Sequence, residues 1–343
     1  MGNAADKPSP AATVKPMRPS LHPAVADVRR RVREALGRID GDLVVVALSG
    51  GADSLALLAA TVFEAPKRGM RVLAVTVDHG LQADSAQVAE AAASVARARG
   101  AEARVVRVEV GAEGGPEAAA REARYAALRD AATTAGAAAV LLAHTLDDQA
   151  ETVLLGLARG AGATSLAGMA PDRADDDMRW VRPLLGVRRA DTRAVCEAEG
   201  LTPWEDPHND DPAFARVRVR TRVLPVLEAE LGPGVAEALA RTAEQLREDA
   251  AAFEEMIEET IEDIVEPAEA GIAISVAALA ANPPALRHRI IRHVVASEFH
   301  VSLTRAQTLE VARLVTDWRG QGPIYLPGCR ASRVAGRIEV TAS

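Results

Sequence analysis

Cysteine, aromatic residues and long apolar runs are scarce in this chain, and each scarcity excludes a class of protein. Among 343 residues the only cysteines are Cys196 and Cys329, too few for a disulfide framework or for a four-cysteine zinc or iron–sulfur site built from this chain alone. Aromatic residues make up 3%, so a core must consist mainly of Ala, Val and Leu. No apolar run reaches the roughly 18 residues of a membrane span.

Residues 1–20 are rich in Ala and Pro and show no hydrophobic periodicity, so we expect a disordered tail there. Their three basic residues are not followed by an apolar run, and we therefore expect no secretory signal. The expected compartment is the cytoplasm.

Apolar, β-branched runs alternate with alanine-rich segments of helical length over residues 21–225. This alternation predicts an α/β domain with a doubly wound, Rossmann-like parallel sheet, because strands buried on both faces are apolar throughout. The predicted strands are 43–48, 72–77, 104–108, 139–143 and a fifth near 180–184, and the predicted helices are 23–39, 53–66, 82–99 and 116–135.

Charge is divided unevenly along the rest of the chain. Residues 226–281 contain fourteen acids and two arginines, a net charge of −12, and predict a long acidic helix at 234–265 within a linker at 226–270. Residues 282–343 contain nine arginines and four acids, a net charge of +5, and belong to a predicted small α+β domain at 271–343. The basic unit indicates a polyanion partner. The alternative is a solvated arginine-rich surface.

The loop Ser49-Gly50-Gly51-Ala52-Asp53-Ser54 lies between the first predicted strand and a predicted helix. Its glycines allow the backbone to approach a ligand closely, and its amides and hydroxyls favour an anion at the helix N-terminus. Asp53 would repel phosphate unless a divalent cation lies between them, which makes it a candidate Mg²⁺ ligand. The loop lacks Gly-Lys-Ser/Thr and Gly-x-Gly-x-x-Gly, so it is neither a Walker A loop nor a dinucleotide fingerprint. A capped strand–helix turn is the alternative.

A second polar group follows the fourth predicted strand. His144 ends that strand at its carboxyl edge, and Asp147, Asp148 and Glu151 open a helix. Asp148 and Glu151 are three residues apart, so one helical face presents two carboxylates. The alternatives are a hydrogen-bonded strand-end histidine and an N-terminal capping cluster.

Several segments resemble a known superfamily. The loop at 49–54 resembles the SGGxDS loop of the N-type ATP-pyrophosphatases, or PP-loop enzymes, which adenylate a substrate oxygen and release pyrophosphate. The segment LAHTLDDQAETVLLGLARGAG, from Leu142, resembles the second signature of the tRNA(Ile)-lysidine synthetases. Ser165 departs from that family, which usually has glycine there. Further similar segments cover 77–81, 121–125, 166–169, 182–185, 206–210 and 216–220, so the resemblance extends over about 40–225.

The resemblance implies a two-step ligation that uses ATP and Mg²⁺. The C2 oxygen of the wobble cytidine, in a tRNA(Ile) with a CAU anticodon, attacks the α-phosphate of ATP. The ε-amine of free lysine then attacks C2, and AMP departs. We expect no membrane partner, and the oligomeric state stays open.

The resemblance and the residue types together predict a set of site residues. Arg124 is interpreted as a cation for the triphosphate or, alternatively, as a surface salt-bridge partner of Glu117 or Glu122. The structural alternative is a plain turn for His79, a solvated face for Arg216 and Arg220, and packing against the acidic helix at 234–265 for Arg289 and Arg292. The predicted catalytic residues are Asp53, Asp148, Glu151 and Arg124; the predicted metal ligands are Asp53 and Asp148; the predicted nucleotide site adds Ser49, Gly50, Gly51, Ala52, Ser54, Asp78, His79 and His144; the predicted tRNA contacts are Arg216, Arg220, Arg289 and Arg292.

Two other functions fit parts of the pattern. A tRNA 2-thiolation enzyme has a similar loop but usually carries CxxC pairs, which this chain lacks. A non-catalytic nucleotide-binding module would not need three acids around a triphosphate.

Overall fold

The computed structural model describes residues 21–80, 84–109, 111, 116–160, 162–175, 177–268 and 271–343. The chain divides into two compact units, Met1–Ala161 with Gly168–Ala243 and Gly162–Ala167 with Glu244–Ser343. The predicted tail at 1–20 lies outside the described residues. The change in charge predicts boundaries at 225/226 and 270/271, whereas the compact units divide at 243/244, inside a long helix.

A six-stranded sheet forms the centre of the first unit. Its strands are β1 Leu43–Ala47, β2 Arg71–Asp78, β3 Glu102–Arg107, β4 Ala139–Leu141, β5 Asp172–Asp175 and β6 Met178–Val181. The spatial order is β3-β2-β1-β4-β6-β5, and only the β5–β6 pair is antiparallel. The predicted doubly wound parallel sheet is therefore confirmed. Strand β5 was not predicted, because its sequence Asp-Arg-Ala-Asp has no strand-like apolar pattern.

Helices cover both faces of this sheet. The α-helices of residues 21–264 are α1 Pro23–Leu36, α2 Ala52–Glu64, α3 Ser85–Ala98, α4 Pro116–Ala135, α5 Leu146–Ala158, α6 Ala163–Leu166, α7 Arg189–Ala198, α8 Ala215–Arg218, α9 Leu224–Leu231 and α10 Val235–Ile264. Of these, α6 and the part of α10 from Glu244 onward belong to the second unit. Val44 and Val46 pack with α1 and α2, whereas Leu43 and Val45 pack with α4 on the opposite face. Both faces of β1 are thus buried, which explains why its sequence is apolar throughout.

The order of the strands places two loops beside each other. The chain moves outward from β1 to β2 and β3 and then returns to β4 on the other side of β1. Ligands of such sheets bind at the carboxyl ends of the strands at this switch point. The loop at 49–54 follows β1 and residues 142–148 follow β4, so the two predicted signatures lie at one edge of the sheet.

The second unit is an α+β unit, as predicted. Its further elements are β7 Val265–Ala268, β8 Gly271–Ser275, α11 Val276–Ala281, α12 Pro284–Phe299, α13 Arg305–Thr316, β9 Ile324–Leu326, β10 Cys329–Val334 and β11 Arg337–Ala342. The strands form an antiparallel sheet in the order β7-β8-β11-β10-β9. Ile257 and Ile264 of α10 join its core. The second half of the acidic helix is therefore part of this unit. None of the helices in the described part of the chain could cross a membrane.

Candidate active site

The loop at 49–54 presents backbone amides at the start of α2. Gly50 has a φ of +84°, a left-handed conformation that glycine adopts without strain. Gly51 caps α2 without a side-chain hydrogen bond, which leaves the amides of the first turn to an anion. The Ser54 hydroxyl donates to the Gly51 carbonyl at 2.9 Å and accepts from the Ser49 N–H at 3.2 Å. These bonds hold the loop in a shape suited to phosphate.

Asp53 points from the first turn of α2 toward α7. Its Oδ1 accepts a hydrogen bond from Thr192 Oγ1, and its Oδ2 lies 3.7 Å from Arg189 Nε. Burial raises the pKa of Asp53, and the nearby charge of Asp148 raises it further, against the lowering effect of Thr192 and Arg189. The net rise in pKa marks a carboxylate whose charge the protein compensates only in part.

Asp148 is held rigidly at the start of α5. Its Oδ2 accepts hydrogen bonds from the Thr145 N–H at 2.8 Å and the Thr145 hydroxyl at 2.9 Å, completing a capping box. Its Oδ1 accepts from Arg189 Nη2 at 2.8 Å. Burial would raise the pKa of Asp148, but Arg189 and the Thr145 N–H hold it below its usual value. Asp148 is therefore an ionised carboxylate. Its Oδ2 has the capping role that was the structural alternative, whereas its Oδ1 faces Arg189.

Glu151 has no exposed surface and is surrounded by arginines. Arg220 Nε donates to Oε1 at 2.8 Å, and Arg220 Nη2 donates to Oε2 at 3.2 Å. Arg216 Nε lies 3.1 Å from Oε2, and Arg189 Nη1 donates to Oε1 at 3.2 Å. The structure thus places Arg216 and Arg220 against Glu151 in the first unit. Their contact with tRNA stays a prediction.

Arg189 contacts three of the predicted site acids, although its sequence position does not predict a role in the site. Its backbone N–H donates to Asp147 Oδ2 at 2.7 Å, which caps α7. Asp147 also pairs with Arg188, its Oδ1 lying 3.1 Å from Arg188 Nη2. No local pattern marks Arg189, because it lies 38 residues after Glu151 and 136 residues after Asp53 in the sequence. Only folding brings these groups together.

Arg124 lies on α4 and lines the same cavity as the loop at 49–54. No acid pairs with Arg124 among the side chains that the structure describes. The alternative salt bridge with Glu122 is therefore not observed, and the side chain of Glu117 lies outside the described side chains. Its surroundings lower the pKa of Arg124, chiefly through burial and then through Arg121. An arginine in a concave wall without an acidic partner suits an anionic ligand.

Two histidines face this cavity from the ends of β2 and β4. Burial lowers the pKa of His79, and Arg124 lowers it further. Burial lowers the pKa of His144 to about 3, against the raising effect of Asp148. Within the described residues neither Nδ1 atom has a hydrogen-bond partner. Both rings are therefore neutral at pH 7, with polar nitrogens left for a ligand.

Asp78 has a more local role in this structure. The Ser85 hydroxyl and the Gly80 N–H donate to its carboxylate and lower the pKa of Asp78. It therefore shapes the turn after β2, beside His79. Leu81, the last residue of the similar segment 77–81, lies outside the described residues.

One cavity of about 920 Å³ joins the two signatures. Its volume is within the range of ligand-binding clefts. It brings together Ser49, Gly51, Ala52, Asp53, Ser54, Asp78, His79, Arg124, His144, Asp148 and Arg220, and its walls also include Arg121, Tyr125, Arg189 and Trp204. Trp204 donates its backbone N–H to the Gly50 carbonyl at 3.0 Å.

The predicted tRNA contacts Arg289 and Arg292 lie on α12 in the second unit. The Arg289 guanidinium stacks on the Phe253 ring of α10 at 4.0 Å, which agrees with the structural alternative for this residue. Arg292 pairs with no acid among the described residues, and burial together with Arg289 and Arg305 lowers its pKa. Arg287 is buried and donates to the carbonyls of Leu279, Ala280 and Asn282, so it stabilises the end of α11.

Comparisons with known proteins agree with both units. Residues 25–227 match the PP-loop domain, and residues 274–339 match the TilS substrate binding domain. A tRNA(Ile)-lysidine synthase of Leifsonia xyli is 61% identical over 300 residues, which cover 87% of this chain and 89% of that protein. One of Salinispora arenicola is 51% identical over 328 residues, covering 94% and 97%.

A solved structure with a similar fold is the U34-tRNA thiolase NcsA from Methanococcus maripaludis, with its iron–sulfur cluster. The TM-score is 0.56 at 20% sequence identity, and the match covers 66% of this chain and 79% of that chain. The likeness concerns the fold alone.

The doubly wound sheet, the loop at 49–54 and the match over 25–227 define an ATP-utilising enzyme of the PP-loop class. High identity to curated relatives over most of the chain narrows the class further. The chain belongs to the tRNA(Ile)-lysidine synthase family. The resemblance stated from the motifs is confirmed.

Proposed function

We propose that this chain ligates lysine to C2 of the wobble cytidine of a tRNA(Ile) with a CAU anticodon, through an adenylated tRNA. The single observation that best supports the proposal is the cavity of about 920 Å³ that both signatures line. In the first step the C2 oxygen attacks the α-phosphate of ATP, and pyrophosphate leaves. In the second step the lysine amine attacks C2, loses a proton, and AMP leaves.

The first step requires that negative charge be stabilised on the departing pyrophosphate. The amides at 51–54 and the guanidinium of Arg124 are the groups of this chain suited to that task. The neutral rings of His79 and His144 add hydrogen-bonding nitrogens without adding charge. We assign the triphosphate to the loop and Arg124, and we assign the adenosine to the side of the cavity formed by Asp78 and His79.

The proposed reaction uses magnesium as a cofactor. Among the described residues no three His, Cys, Asp or Glu side chains form a metal-binding group. A magnesium ion bound through one or two carboxylates, phosphates and water does not need such a group, and carboxylate oxygens are suitable ligands. Asp53 and Asp148 would hold the ion, which would neutralise charge on the phosphates. Both carboxylates lie against Arg189 in this structure.

Lysine is assigned to the acids of α5. A second cavity of about 160 Å³ is lined by the acids Asp147, Glu151 and Glu228, by the apolar side chains of Leu224, Pro225 and Ala236, and by three arginines that pair with acids of this region, Arg188, Arg189 and Arg220. Carboxylates suit the amines of lysine, and apolar side chains suit its methylene groups. Both Glu151 oxygens contact arginines, so a lysine amine at Glu151 would replace one of these contacts. A carboxylate beside the ε-amine can accept the proton that the amine must lose.

The tRNA is assigned to both units. The wobble base must leave the anticodon stack to reach the cavity, as single-stranded bases do when proteins read them. The second unit, with its net charge of +5 over 282–343, is suited to the phosphate backbone. The proposal places the reaction in the cytoplasm, where tRNA, lysine and ATP are all present.

Incubation with total tRNA, ATP and labelled lysine, followed by nucleoside analysis, tests the proposal. We expect the label in a modified cytidine of tRNA(Ile), with AMP and pyrophosphate released. Cytidine that remains unmodified, or that acquires sulfur instead, would contradict the proposal.

A further inference from the structure

Arg189 is the side chain that connects the two signatures. Each of its three guanidinium nitrogens lies against a different carboxylate: Nε is 3.7 Å from Asp53 Oδ2, Nη2 is 2.8 Å from Asp148 Oδ1, and Nη1 is 3.2 Å from Glu151 Oε1. Asp53 follows β1, whereas Asp148 and Glu151 follow β4. One planar group therefore sets the relative positions of acids from two separate elements.

The backbone of Arg189 is fixed as firmly as its side chain. Asp147, which belongs to α5, caps the first amide of α7, so α7 begins at a position set by the second signature. Thr192 lies one turn further along α7, and its hydroxyl donates a hydrogen bond to Asp53. The same hydroxyl oxygen lies 2.8 Å from the Arg189 carbonyl oxygen. The first turn of α7 is thereby bonded to α2 and to α5 at once.

The charges explain why a cation lies at this point. Asp53, Asp148 and Glu151 bring three negative charges into a poorly solvated region, and their mutual repulsion requires compensation. Arg216 and Arg220 compensate Glu151, and Arg220 Nη2 also lies 3.8 Å from Asp148 Oδ1, but Asp53 has Arg189 as its one arginine within 4 Å among the described residues. Asp53 and Asp148 are also the two carboxylates assigned to magnesium. Arg189 thus occupies the neighbourhood in which a divalent cation would bind.

We infer that Arg189 is a positioning residue that holds Asp53, Asp148 and Glu151 in register and competes with magnesium for the first two. Binding of magnesium with the nucleotide takes over the compensation of Asp53 and Asp148, and Arg189 keeps its contact with Glu151. The inference rests on the proposed function for its catalytic consequence, but the competition is a property of the protein without substrates. A lysine ammonium has its three donors on one nitrogen, whereas these carboxylates lie against three separate guanidinium nitrogens, so the planar fork is required and not merely the charge.

The first test measures magnesium alone, without nucleotide or tRNA. The melting temperature of the full chain is recorded from 0.1 to 10 mM MgCl₂ for the parent protein, Arg189→Ala and Arg188→Ala. Arg188 is the matched control, because it is the adjacent arginine but pairs with Asp147 and Glu237 instead. We expect Arg189→Ala to gain several degrees over this range and the other two proteins to change little. Equal responses of Arg189→Ala and Arg188→Ala would overturn the competition.

A second comparison guards against failure of the alanine variant to fold. Arg189→Lys keeps a positive charge but cannot reproduce three contacts. We expect it to fold, with adenylation of tRNA reduced by about 10-fold to 100-fold at saturating ATP, the range for lost positioning groups. Full adenylation and an unchanged KM for lysine in Arg189→Lys would overturn the positioning role.

The two proposals fail separately. If the parent protein forms no lysidine, the proposed function is wrong, whereas the magnesium response of Arg189→Ala still decides the competition. If lysidine forms and the magnesium responses are equal, the function holds and the inference about Arg189 is wrong.

Discussion

Among single residues, the acids of the candidate site all form hydrogen bonds or ion pairs with other side chains of the protein. The sequence of the loop at 49–54 alone predicts that Asp53 faces solvent, but in the structure Thr192 and Arg189 both contact its carboxylate. Asp148 caps its own helix and also faces Arg189, so the capping role is observed and the catalytic role stays a prediction. Glu151 is buried among arginines. Each acid therefore has its own electrostatic environment, which supports different roles in one reaction.

A comparison of Asp148 with Glu151 tests this division of roles. We expect Asp148→Asn to block adenylation, because it removes a charge assigned to magnesium beside the triphosphate. We expect Glu151→Gln to allow some adenylated tRNA to form but to raise the KM for lysine about 10-fold or more, as loss of a charged hydrogen bond does. Single-turnover assays with labelled ATP and labelled lysine separate the steps. Failure of both variants at one step, with the same lysine dependence, would refute the division.

The histidine at the end of β4 predicts an acid-sensitive stability. The folded protein keeps His144 neutral down to its lowered pKa of about 3, whereas the unfolded chain takes up a proton near pH 6.5. The unfolded state therefore binds more protons between these values, and the free energy of unfolding falls as the pH falls from about 6.5.

His144→Gln should remove this dependence. Between pH 7.5 and 5.5 we expect the parent protein to lose about 1 kcal/mol more stability than the variant, measured by urea unfolding at both pH values. The difference between the two proteins cancels the titration of other groups. A parent protein and a variant with equal pH dependence would show that His144 takes up a proton at the same pH in the folded protein as in the unfolded chain.

At the scale of elements, a side chain of the second signature also positions the loop after α6. Gln149 is 3% exposed; its Nε2 donates to the Met169 carbonyl at 3.0 Å, and its Oε1 accepts from the Met169 N–H at 2.8 Å. Gly168 has a φ of +63°, and a Cβ atom there would lie 2.6 Å from Gln149 Oε1. The similar segments at 142–162 and 166–169 are thus two halves of one contact. This explains their occurrence together.

Two glycines with nearly equal φ angles, Gly168 and Gly160, test this contact. Gly168→Ala should cost about 2–4 kcal/mol of unfolding free energy, because it adds displacement of a hydrogen-bonded side chain to left-handed strain. Gly160→Ala, at φ +65° with no described atom within 4 Å of a Cβ, should cost about 1 kcal/mol from strain alone. Urea unfolding of both variants measures the difference. Equal losses would mean that the Gln149 contact contributes nothing.

At the scale of the whole molecule, acidic and basic charge belong to the same compact unit. The second half of α10 contributes Phe253, Ile257 and Ile264 to the core that α12 also builds. The acidic helix is therefore more than a linker, and Arg289 of α12 stacks on Phe253. Arg292, with Arg289 and Arg305 close enough to lower its pKa, remains part of a positive cluster. Such a cluster suits a polyanion.

Arg292 and Arg289 should therefore respond differently to alanine. We expect Arg292→Ala to raise the KM for tRNA and to reduce the slope of log K against log salt by about 0.7–0.9, the loss of one phosphate contact, with kcat unchanged. Arg289→Ala should chiefly lower the melting temperature, because its stacking on Phe253 contributes roughly 0.5–1 kcal/mol. Binding titrations at several salt concentrations and thermal melts on the same preparations measure both. An unchanged salt slope in Arg292→Ala would remove this residue from the tRNA surface.

Local sequence patterns are sufficient to predict the layered α/β architecture, the family and the location of both signatures. A strand apolar on both faces, a glycine-rich turn before a helix, and acids at a helix start are each legible within ten residues of chain. The tertiary structure alone decided which charges meet. Arg189, Arg216 and Arg220 lie 38 to 69 residues after Glu151, and no local pattern indicates that these arginines meet it. The energy of an ion pair depends on distance and burial in space, and sequence separation does not encode either quantity.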